Sequence, residues 1–210
     1  MNILVTGGSK GIGKELVNYL LENNSNRVFY TYNRTAPAIL KSNCEALKVD
    51  FENNEDVELL IGKLDKLEID VLINNYHTGY KQGHAHKLQT SELDGGLASN
   101  IFPTIHLTNE LITKFRKRKT GTVVTILTSA IDNFPTGCVQ YIAEKRYLSA
   151  FVDAWKNENS AFGINSVALY PEFINTDIHK DLPDFLKNTF NENNAMQNVL
   201  DKLKEVLNAI

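Results

Sequence analysis

The sequence is poor in several kinds of residue, and each shortage argues against a class of protein. Its 210 residues include only Cys44 and Cys138, which is too few for a disulfide scaffold and lacks the spacing of a metal site. No apolar run reaches the roughly 18 residues that cross a membrane. The net charge of −3 argues against nucleic acid as a partner. Because the first apolar run begins at residue 2, we expect no signal peptide and a cytoplasmic protein.

Strand and helix patterns alternate along the whole chain. The predicted strands are residues 2–5, 28–32, 46–49, 69–73, 122–127 and 165–169. The predicted helices include residues 55–67, 93–118, 141–159 and 196–210. This alternation indicates one α/β domain over residues 1–210, with a Rossmann-type doubly wound parallel sheet of six strands in a three-layer arrangement. In such sheets, ligands bind beyond the carboxyl ends of the strands.

A glycine-rich turn follows the first predicted strand. It reads Thr6-Gly7-Gly8-Ser9-Lys10-Gly11-Ile12-Gly13 and leads into a segment with helical periodicity. Between a strand and a helix, glycines let the backbone approach a pyrophosphate, and the helix N-terminus attracts that anion. We therefore expect a bound dinucleotide. The alternative is a turn that joins strand to helix without any ligand.

Tyr141 and Lys145 are four residues apart in a predicted helix, and therefore lie on one face of it. A lysine ammonium at this distance favours the phenolate, so we expect the tyrosine pKa to fall below its reference of about 10. A tyrosine with a lowered pKa can exchange a proton with a carbonyl or alcohol oxygen. The alternative is an ordinary Tyr–Lys pair on a solvated helix face.

The region about 20 residues beyond the glycines indicates which dinucleotide is preferred. NAD enzymes place a carboxylate there to bond the ribose 2′-hydroxyl. This chain has Asn33 and Arg34 instead. A guanidinium suits a 2′-phosphate, and Lys10 adds a second cation near the same pocket. We predict a preference for NADP(H) over NAD(H), unless both cations are ordinary surface residues.

These motifs together resemble the single-domain branch of the short-chain dehydrogenase/reductase family. The resemblance rests on the glycine turn, on Asn74-Asn75, on Asn100 and on Tyr141-x-x-x-Lys145, and it extends to Thr176. It implies a Rossmann fold and an NADP(H)-dependent oxidoreductase. Such an enzyme transfers a hydride between the nicotinamide and a small carbonyl or secondary alcohol substrate.

The resemblance also implies roles for the reacting residues. Tyr141 would be the general acid and base, Lys145 would lower its pKa and hold the nicotinamide ribose, and Asn100 would support a water linked to the lysine. A hydroxyl would polarise the substrate oxygen. The family's gap to the tyrosine, 141 − 128 = 13 residues, selects Thr128 for this role. Ser129 would take it if the intervening loop is one residue shorter.

The cofactor contacts follow from the same resemblance. Asp50 would contact the adenine, although it could equally be the N-cap of the helix that follows. The full predicted set is Thr6, Gly7, Ser9, Lys10, Gly11, Ile12, Gly13, Asn33, Arg34, Asp50, Phe51, Asn74, Asn75, Tyr76, Lys145, Pro171, Ile174 and Thr176.

Several positions depart from the family pattern. Tyr76 and His77 replace two small residues beside the expected adenine ribose, and Glu172 replaces a glycine after Pro171. These changes leave open a regulator or scaffold that binds the cofactor but has lost catalysis. The family's seventh strand has no counterpart after residue 169. We therefore expect an open pocket and a homodimer through helices 93–118 and 141–159, but no tetramer through that strand.

Two charged or ligand-like clusters remain. His77, His84 and His86 share one loop, but no cysteine accompanies them and the resemblance implies no metal, so we predict none. The run Arg116-Lys117-Arg118-Lys119 complements the dipole at a helix C-terminus. It could instead bind an acidic carrier protein, in which case the protein would reduce carrier-bound acyl groups.

Overall fold

Six parallel strands form one sheet. The computed structural model describes residues 1–35, 39, 41–176, 178 and 194–210. The strands are β1 (Asn2–Val5), β2 (Arg27–Tyr32), β3 (Cys44–Lys48), β4 (Val71–Asn74), β5 (Gly121–Ile126) and β6 (Ile164–Leu169). The predicted doubly wound sheet is confirmed, and the described ranges contain no seventh strand. Their order in the sheet is β3-β2-β1-β4-β5-β6. This order reverses between β1 and β4, which opens a crevice at their carboxyl ends.

Helices cover both faces of the sheet. They are α1 (Gly11–Leu20), α2 (Asn54–Leu67), α3 (Thr90–Gly96), α4 (Phe102–Arg118), α5 (Ala130–Asn133), α6 (Val139–Asn159) and α7 (Ala195–Asn208). One apolar core packs α2, α4 and α6 against one face, and a second packs α1 and α7 against the other. Strand residues alternate between the two cores, as in β1, where Leu4 faces the first and Ile3 and Val5 face the second.

The first core contains the single tryptophan of the chain. Trp155 of α6 is buried, and its indole N–H donates to Asn109 Oδ1 of α4 at 2.9 Å. This bond links the two longest helices on that face of the sheet. None of the helices in the described part of the chain is long and apolar enough to cross a membrane.

The predicted long helix over residues 93–118 is helical throughout, but it contains a π-helical turn. Between α3 and α4 lies a π-helical turn, Leu97–Ile101, and Pro103 is the second residue of α4. Proline lacks a backbone N–H, and its ring crowds the carbonyl four residues earlier, so a regular helix cannot pass through this point. Thr104 Oγ1 donates to the Asn100 carbonyl at 2.8 Å and stabilises the turn. The irregular turn carries Asn100, one of the predicted site residues.

Candidate active site

The glycine turn between β1 and α1 leaves space that side chains would fill. Gly7 and Gly11 have φ angles of +68° and +49°, and a Cβ on Gly13 would lie 2.2 Å from the Gly7 carbonyl oxygen. Asn75 Nδ2 donates to the carbonyls of Thr6 and Gly7, both at 3.0 Å, and fixes the turn against the end of β4. The N-cap of α1, Lys10, makes no side-chain capping bond. The turn therefore presents backbone and a helix N-terminus, as an anion site requires.

One cleft of about 1110 Å³ runs from this turn to Tyr141, beyond the carboxyl ends of β1, β4, β5 and β6. A smaller pocket of about 300 Å³ adjoins it beyond β2 and β3. The cleft brings together most of the predicted site residues: Gly7, Lys10, Gly11, Ile12, Gly13, Arg34, Asn75, Tyr76, Thr128, Ser129, Tyr141, Lys145, Pro171, Ile174 and Thr176. The smaller pocket adds Ser9, Asn33 and Phe51.

Thr6 and Asn74 were predicted to contact the cofactor, but they do not line either pocket. The buried Thr6 hydroxyl accepts the backbone N–H groups of Asn75 and Tyr76, both at 3.0 Å. Asn74 lies within β4 and is buried, and its Nδ2 donates to Thr108 Oγ1 at 2.9 Å. Both side chains therefore hold the strand ends in place instead of facing the cleft.

Asp50 is not the N-cap of α2. That position belongs to Asn53, whose side chain accepts the Glu55 N–H at 2.9 Å. The Asp50 carboxylate accepts the Glu52 N–H at 3.0 Å, which is an Asx turn just before the helix. Asp50 lines neither pocket, so the predicted adenine contact has no support from its position.

The expected lowering of the Tyr141 pKa is wrong for this structure. Tyr141 is only 8% exposed, and burial raises its pKa to about 12, although a hydrogen bond with Thr128 favours the phenolate. The Lys145 ammonium lies 5.7 Å from the centre of the Tyr141 ring and donates to the Ile126 carbonyl at 2.8 Å. Burial lowers the pKa of Lys145 itself to about 8. Desolvation, not the neighbouring ammonium, dominates at the tyrosine.

Thr128 is the hydroxyl that contacts Tyr141. Its side chain is hydrogen-bonded to the tyrosine and accepts the Ala130 N–H at 3.2 Å. The next residue, Ser129, also lines the cleft and is the N-cap position of α5, where its backbone N–H donates to the Pro171 carbonyl at 2.9 Å. This geometry agrees with the register that selected Thr128 from the sequence.

Asn100 is buried in the π-helical turn and bonded on both sides of its amide. Its Nδ2 donates to Glu144 Oε2 at 2.9 Å. Its Oδ1 accepts both the backbone N–H and the hydroxyl of Thr78, at 2.7 and 3.0 Å. The side chain thus connects the loop after β4 to helix α6 beside Lys145.

The sequence interpretation missed a buried His77–Glu144 pair. His77 Nε2 lies 2.9 Å from Glu144 Oε2, and the two side chains are 4% and 3% exposed. His77 Nδ1 accepts the Gly79 N–H at 3.0 Å, so the ring is neutral and carries its proton on Nε2. The Nε2–H of His77 is poorly aligned with the Glu144 carboxylate. Burial lowers the pKa of His77.

Burial alone would raise the pKa of Glu144, but its contacts outweigh burial and lower it. Besides His77, the carboxylate accepts from Gln140 Nε2 and Asn100 Nδ2, both at 2.9 Å. Glu144 is therefore ionised inside the protein. The signal in the sequence was an acidic residue on the buried side of a helix, paired with a histidine where the family has a small residue.

Two aromatic rings pack against Tyr141 in the cleft. The Tyr80 ring stacks on it at 4.9 Å between centres, and the His77 ring meets it edge-on at 5.2 Å. The Tyr80 hydroxyl lies 3.4 Å from Cys138 Sγ. With Phe173, these side chains give the reacting end a largely apolar wall.

At the opposite end of the cleft, Tyr76 fills part of the smaller pocket. Its ring stacks on buried Phe51 with 4.3 Å between centres, and it lines both pockets. Burial raises the pKa of Tyr76, so the hydroxyl is neutral at physiological pH. The large Tyr76 side chain, which replaces a small residue of the family, is therefore packed against Phe51.

The basic end of α4 lies at the opposite edge of the sheet from the cleft. Arg118 donates to the carbonyl of Ile69, just before β4. Arg116 donates to Asn159 Oδ1 at 2.7 Å, and its guanidinium lies 3.6 Å over the ring of Phe162, just before β6. Both residues are exposed, but each contacts the protein at the amino ends of the strands.

Comparison with known proteins places the chain in a family. A family model described as short chain dehydrogenase matches residues 1–187, and the chain belongs to this family of oxidoreductases. A 3-oxoacyl-[acyl-carrier-protein] reductase from Chlamydia pneumoniae is 27% identical over 195 residues, which cover 88% of this chain and 78% of the relative.

Solved structures share the fold. The 3-ketoacyl-(acyl-carrier-protein) reductase from Brucella melitensis, complexed with NADH, has a TM-score of 0.78 at 20% identity, over 89% of this chain and 81% of that one. ElxO with NADP bound has a TM-score of 0.77 at 24% identity, over 89% and 79% of the two chains. At these identities the likeness shows the fold alone.

Proposed function

We propose that the protein is an NADP(H)-dependent oxidoreductase that transfers a hydride between the nicotinamide and a carbonyl or secondary alcohol carbon. The observation that carries this proposal is the single cleft that joins the glycine turn to Thr128, Tyr141 and Lys145. Membership of the short-chain dehydrogenase family supports it.

The residues of the cleft suit a dinucleotide. The space beside Gly7 and Gly13 admits a pyrophosphate close to backbone, and the N-terminus of α1 supplies a favourable field. Lys10 and Arg34 line the junction of the cleft and the smaller pocket, where they would hold a 2′-phosphate. ElxO is solved with NADP and the Brucella enzyme with NADH, so NAD(H) is the alternative cofactor.

The chemistry follows from the protonation states at the reacting end. The nicotinamide, when bound, supplies or accepts the hydride. Because burial keeps Tyr141 a phenol at neutral pH, its hydroxyl can give its proton to the carbonyl oxygen during reduction. The Thr128 hydroxyl bonds the phenolic oxygen and stabilises the charge left there, and the nearby Lys145 cation does so electrostatically. In alcohol oxidation the same proton moves in the opposite direction.

The proposal is tested by NADPH consumption against a panel of ketones, aldehydes and acyl thioesters, with NADPH affinity measured in parallel. We expect binding of NADPH and turnover of at least one carbonyl class. Tight NADPH binding without turnover would favour the alternative of a regulator or scaffold. Failure to bind either nucleotide would contradict the whole proposal.

A second candidate is reduction of acyl groups on a carrier protein, which the names of the Chlamydia and Brucella proteins favour. The basic end of α4 does not support it, because Arg116 and Arg118 lie at the edge of the sheet opposite the cleft. A carrier-bound thioester compared with the same acyl group on a short thiol distinguishes the two. Faster turnover of the carrier-bound form would favour the second candidate.

A cytoplasmic location and a homodimer belong to the same proposal. The faces of α4 and α6 expose Phe102 and Tyr147, with 52% and 42% of their surface accessible. Pairing through these faces would cover both rings and give a two-fold dimer. Mass measurement in solution at low micromolar concentration tests this, and a stable tetramer would contradict it.

A further inference from the structure

A small apolar cluster, separate from the two cores that pack on the sheet, lies at the reacting end of the cleft. Its buried members are Ile131 of α5, Cys138 at the N-cap of α6, and Ile142 of α6. Tyr80 and Phe173 pack against these three residues and are themselves only partly buried. Because Tyr80, Cys138 and Phe173 line the cleft, the cluster presents an apolar surface to a bound substrate.

We propose that the reacting end takes an uncharged carbonyl compound that carries an aromatic ring, and that Tyr80 selects this class of substrate. This inference rests on the proposed function, because it names the substrate of the same site. Tyr80 takes no part in the transfer of hydride or proton, and its role is to determine specificity.

Two contacts hold the side chain of Tyr80 beside the reacting residue. Its ring stacks on the ring of Tyr141, with 4.9 Å between centres and 24° between planes. Its hydroxyl lies 3.4 Å from Cys138 Sγ. The ring is therefore in place before a substrate arrives, and a substrate that packs against it does not have to order it first.

The backbone that follows Tyr80 is fastened to the segment that leads into α6. The Lys81 N–H donates to Gln140 Oε1 at 3.3 Å, and the Gly83 N–H donates to the Gly137 carbonyl at 3.0 Å. These bonds tie the loop after β4 to the helix that carries Tyr141. The aromatic surface and the reacting hydroxyl therefore keep a fixed relation to each other.

The rings in the cleft favour an aromatic group over an alkyl group of similar size. Phe173, which follows β6, is a second partly buried ring on the same apolar cluster as Tyr80, and both line the cleft. Aromatic rings attract other rings in offset-stacked or edge-on arrangements, beyond the effect of the area that they bury. A saturated ring buries a similar area but lacks this attraction.

The charges in the cleft disfavour an anionic substrate. Of the described residues that line it, four carry a charge: Lys10, Arg34, Lys145 and Glu172. Lys10 and Arg34 also line the smaller pocket, at the nucleotide end. Lys145 is only 3% exposed, whereas Glu172 is exposed. A substrate carboxylate would therefore meet a carboxylate of the protein and would lose hydration against aromatic rings without gaining an exposed cation.

The test uses two pairs of ketones, each pair differing in one property. Phenylacetone and cyclohexylacetone have the same chain and a ring of similar size, and only the first ring is aromatic. Phenylacetone with a para-carboxylate is compared with its own methyl ester, so that charge is the main difference. NADPH consumption gives kcat and KM for each ketone.

The native protein should prefer the aromatic and the uncharged member of each pair. We expect kcat/KM for phenylacetone to exceed that for cyclohexylacetone by at least about 3-fold. The methyl ester should exceed the carboxylate by at least about 10-fold, because the charge must be desolvated. A preference for cyclohexylacetone or for the carboxylate would overturn the proposed class of substrate.

Tyr80→Leu tests whether Tyr80 makes this selection. Leucine keeps an apolar side chain and removes the ring, so the preference for phenylacetone over cyclohexylacetone should disappear, mainly because KM for phenylacetone rises. Tyr80→Phe keeps the ring and should keep the preference. Tyr147→Leu is the matched control, because it removes an exposed ring of α6 that does not line the cleft. Tyr80→Met replaces Tyr80→Leu if the latter does not fold, and a native preference in either variant would overturn the role of Tyr80.

A binding measurement separates this inference from the proposed function. Saturation-transfer NMR on the protein loaded with NADP⁺ reports ketone binding without any turnover. Tighter binding of phenylacetone than of cyclohexylacetone, with no carbonyl compound reduced, would refute the proposed function alone. Reduction of other carbonyl compounds, with phenylacetone neither bound nor reduced, would refute the inference alone.

Discussion

The two ends of the cleft differ in the atoms that line them: backbone atoms at the glycine end and side chains at the end that holds Tyr141. At the glycine end, backbone atoms of Gly7 and Gly13 face the space, and Asn75 holds them in place. At the reacting end, buried side chains form the surface, among them Tyr141 and Lys145, whose pKa values are both shifted by burial. The shape of the glycine end depends on residues that have no side chain. The reacting end depends on burial and on charges that lie apart in the sequence.

Because of this difference, substitutions at the two ends should impair different properties of the protein. A substitution at the glycine end should act on nucleotide binding or folding, because nothing there exchanges a proton. A substitution at the reacting end should change turnover and leave nucleotide binding intact. Each of the following tests breaks or sharpens this contrast.

The largest effect is expected for Tyr141→Phe. The variant keeps the ring that stacks on Tyr80 and loses the hydroxyl, so turnover should fall by at least about 10²-fold. NADPH affinity, measured by fluorescence titration, should stay near native. Near-native turnover on a genuine substrate would show that Tyr141 is not the acid.

Arg34→Ala tests the opposite end of the cleft. Loss of a charge-assisted contact of about 1.5–3 kcal/mol should weaken NADPH binding about 10- to 150-fold. NADH binding should barely change, because NADH lacks the 2′-phosphate, and this is the internal control. Equal affinity of the native protein for the two nucleotides would contradict the assignment.

Gly13→Ala tests whether the glycine end tolerates a side chain. Its Cβ would lie 2.2 Å from the Gly7 carbonyl, so the turn must shift, and we expect a loss of about 1–3 kcal/mol in the free energy of unfolding. Gly62→Ala in α2 is the matched control, because its Cβ would meet nothing within 4 Å. An alanine inside that helix should stabilise the protein by about 0.5–1 kcal/mol. Chemical denaturation compares the two, and equal effects would refute the steric argument.

Thr128→Val and Ser129→Ala should differ in size. The valine keeps the shape of Thr128 but removes the hydrogen bond to Tyr141, so turnover should fall about 10-fold. Ser129→Ala should have a mild effect. The reverse order in steady-state kinetics would give the polarising role to Ser129. Large losses at both positions would leave neither residue assigned.

The same contrast explains what the sequence could predict. The glycine turn, the order of the elements and the two cations were readable because the spacing of glycine, arginine and lysine carries local information. The π-helical turn was missed although Pro103 lies inside the predicted helix 93–118, where a proline disrupts the regular hydrogen bonding. The error in the Tyr141 pKa has another cause. Helical spacing gives the distance to Lys145 but says nothing about how deeply the phenol is buried.

The His77–Glu144 pair shows the same limit for contacts. The two residues are 67 positions apart in the sequence, and only the fold brings them within 2.9 Å. The sequence places His77 in a loop with two other histidines, His84 and His86, for which we predict no metal. In the structure the rings of His84 and His86 stack on each other at 5.8 Å, whereas His77 turns inward to α6.

The position of Trp155 gives the molecule a built-in optical probe. The indole is buried between α4 and α6, and it does not line the cleft or the smaller pocket. Its emission should therefore shift to longer wavelength when those helices separate on unfolding and should report no direct contact with a nucleotide. Excitation of the indole then follows denaturation, and emission from the reduced nicotinamide follows occupancy of the cleft, so both quantities can be read from one sample.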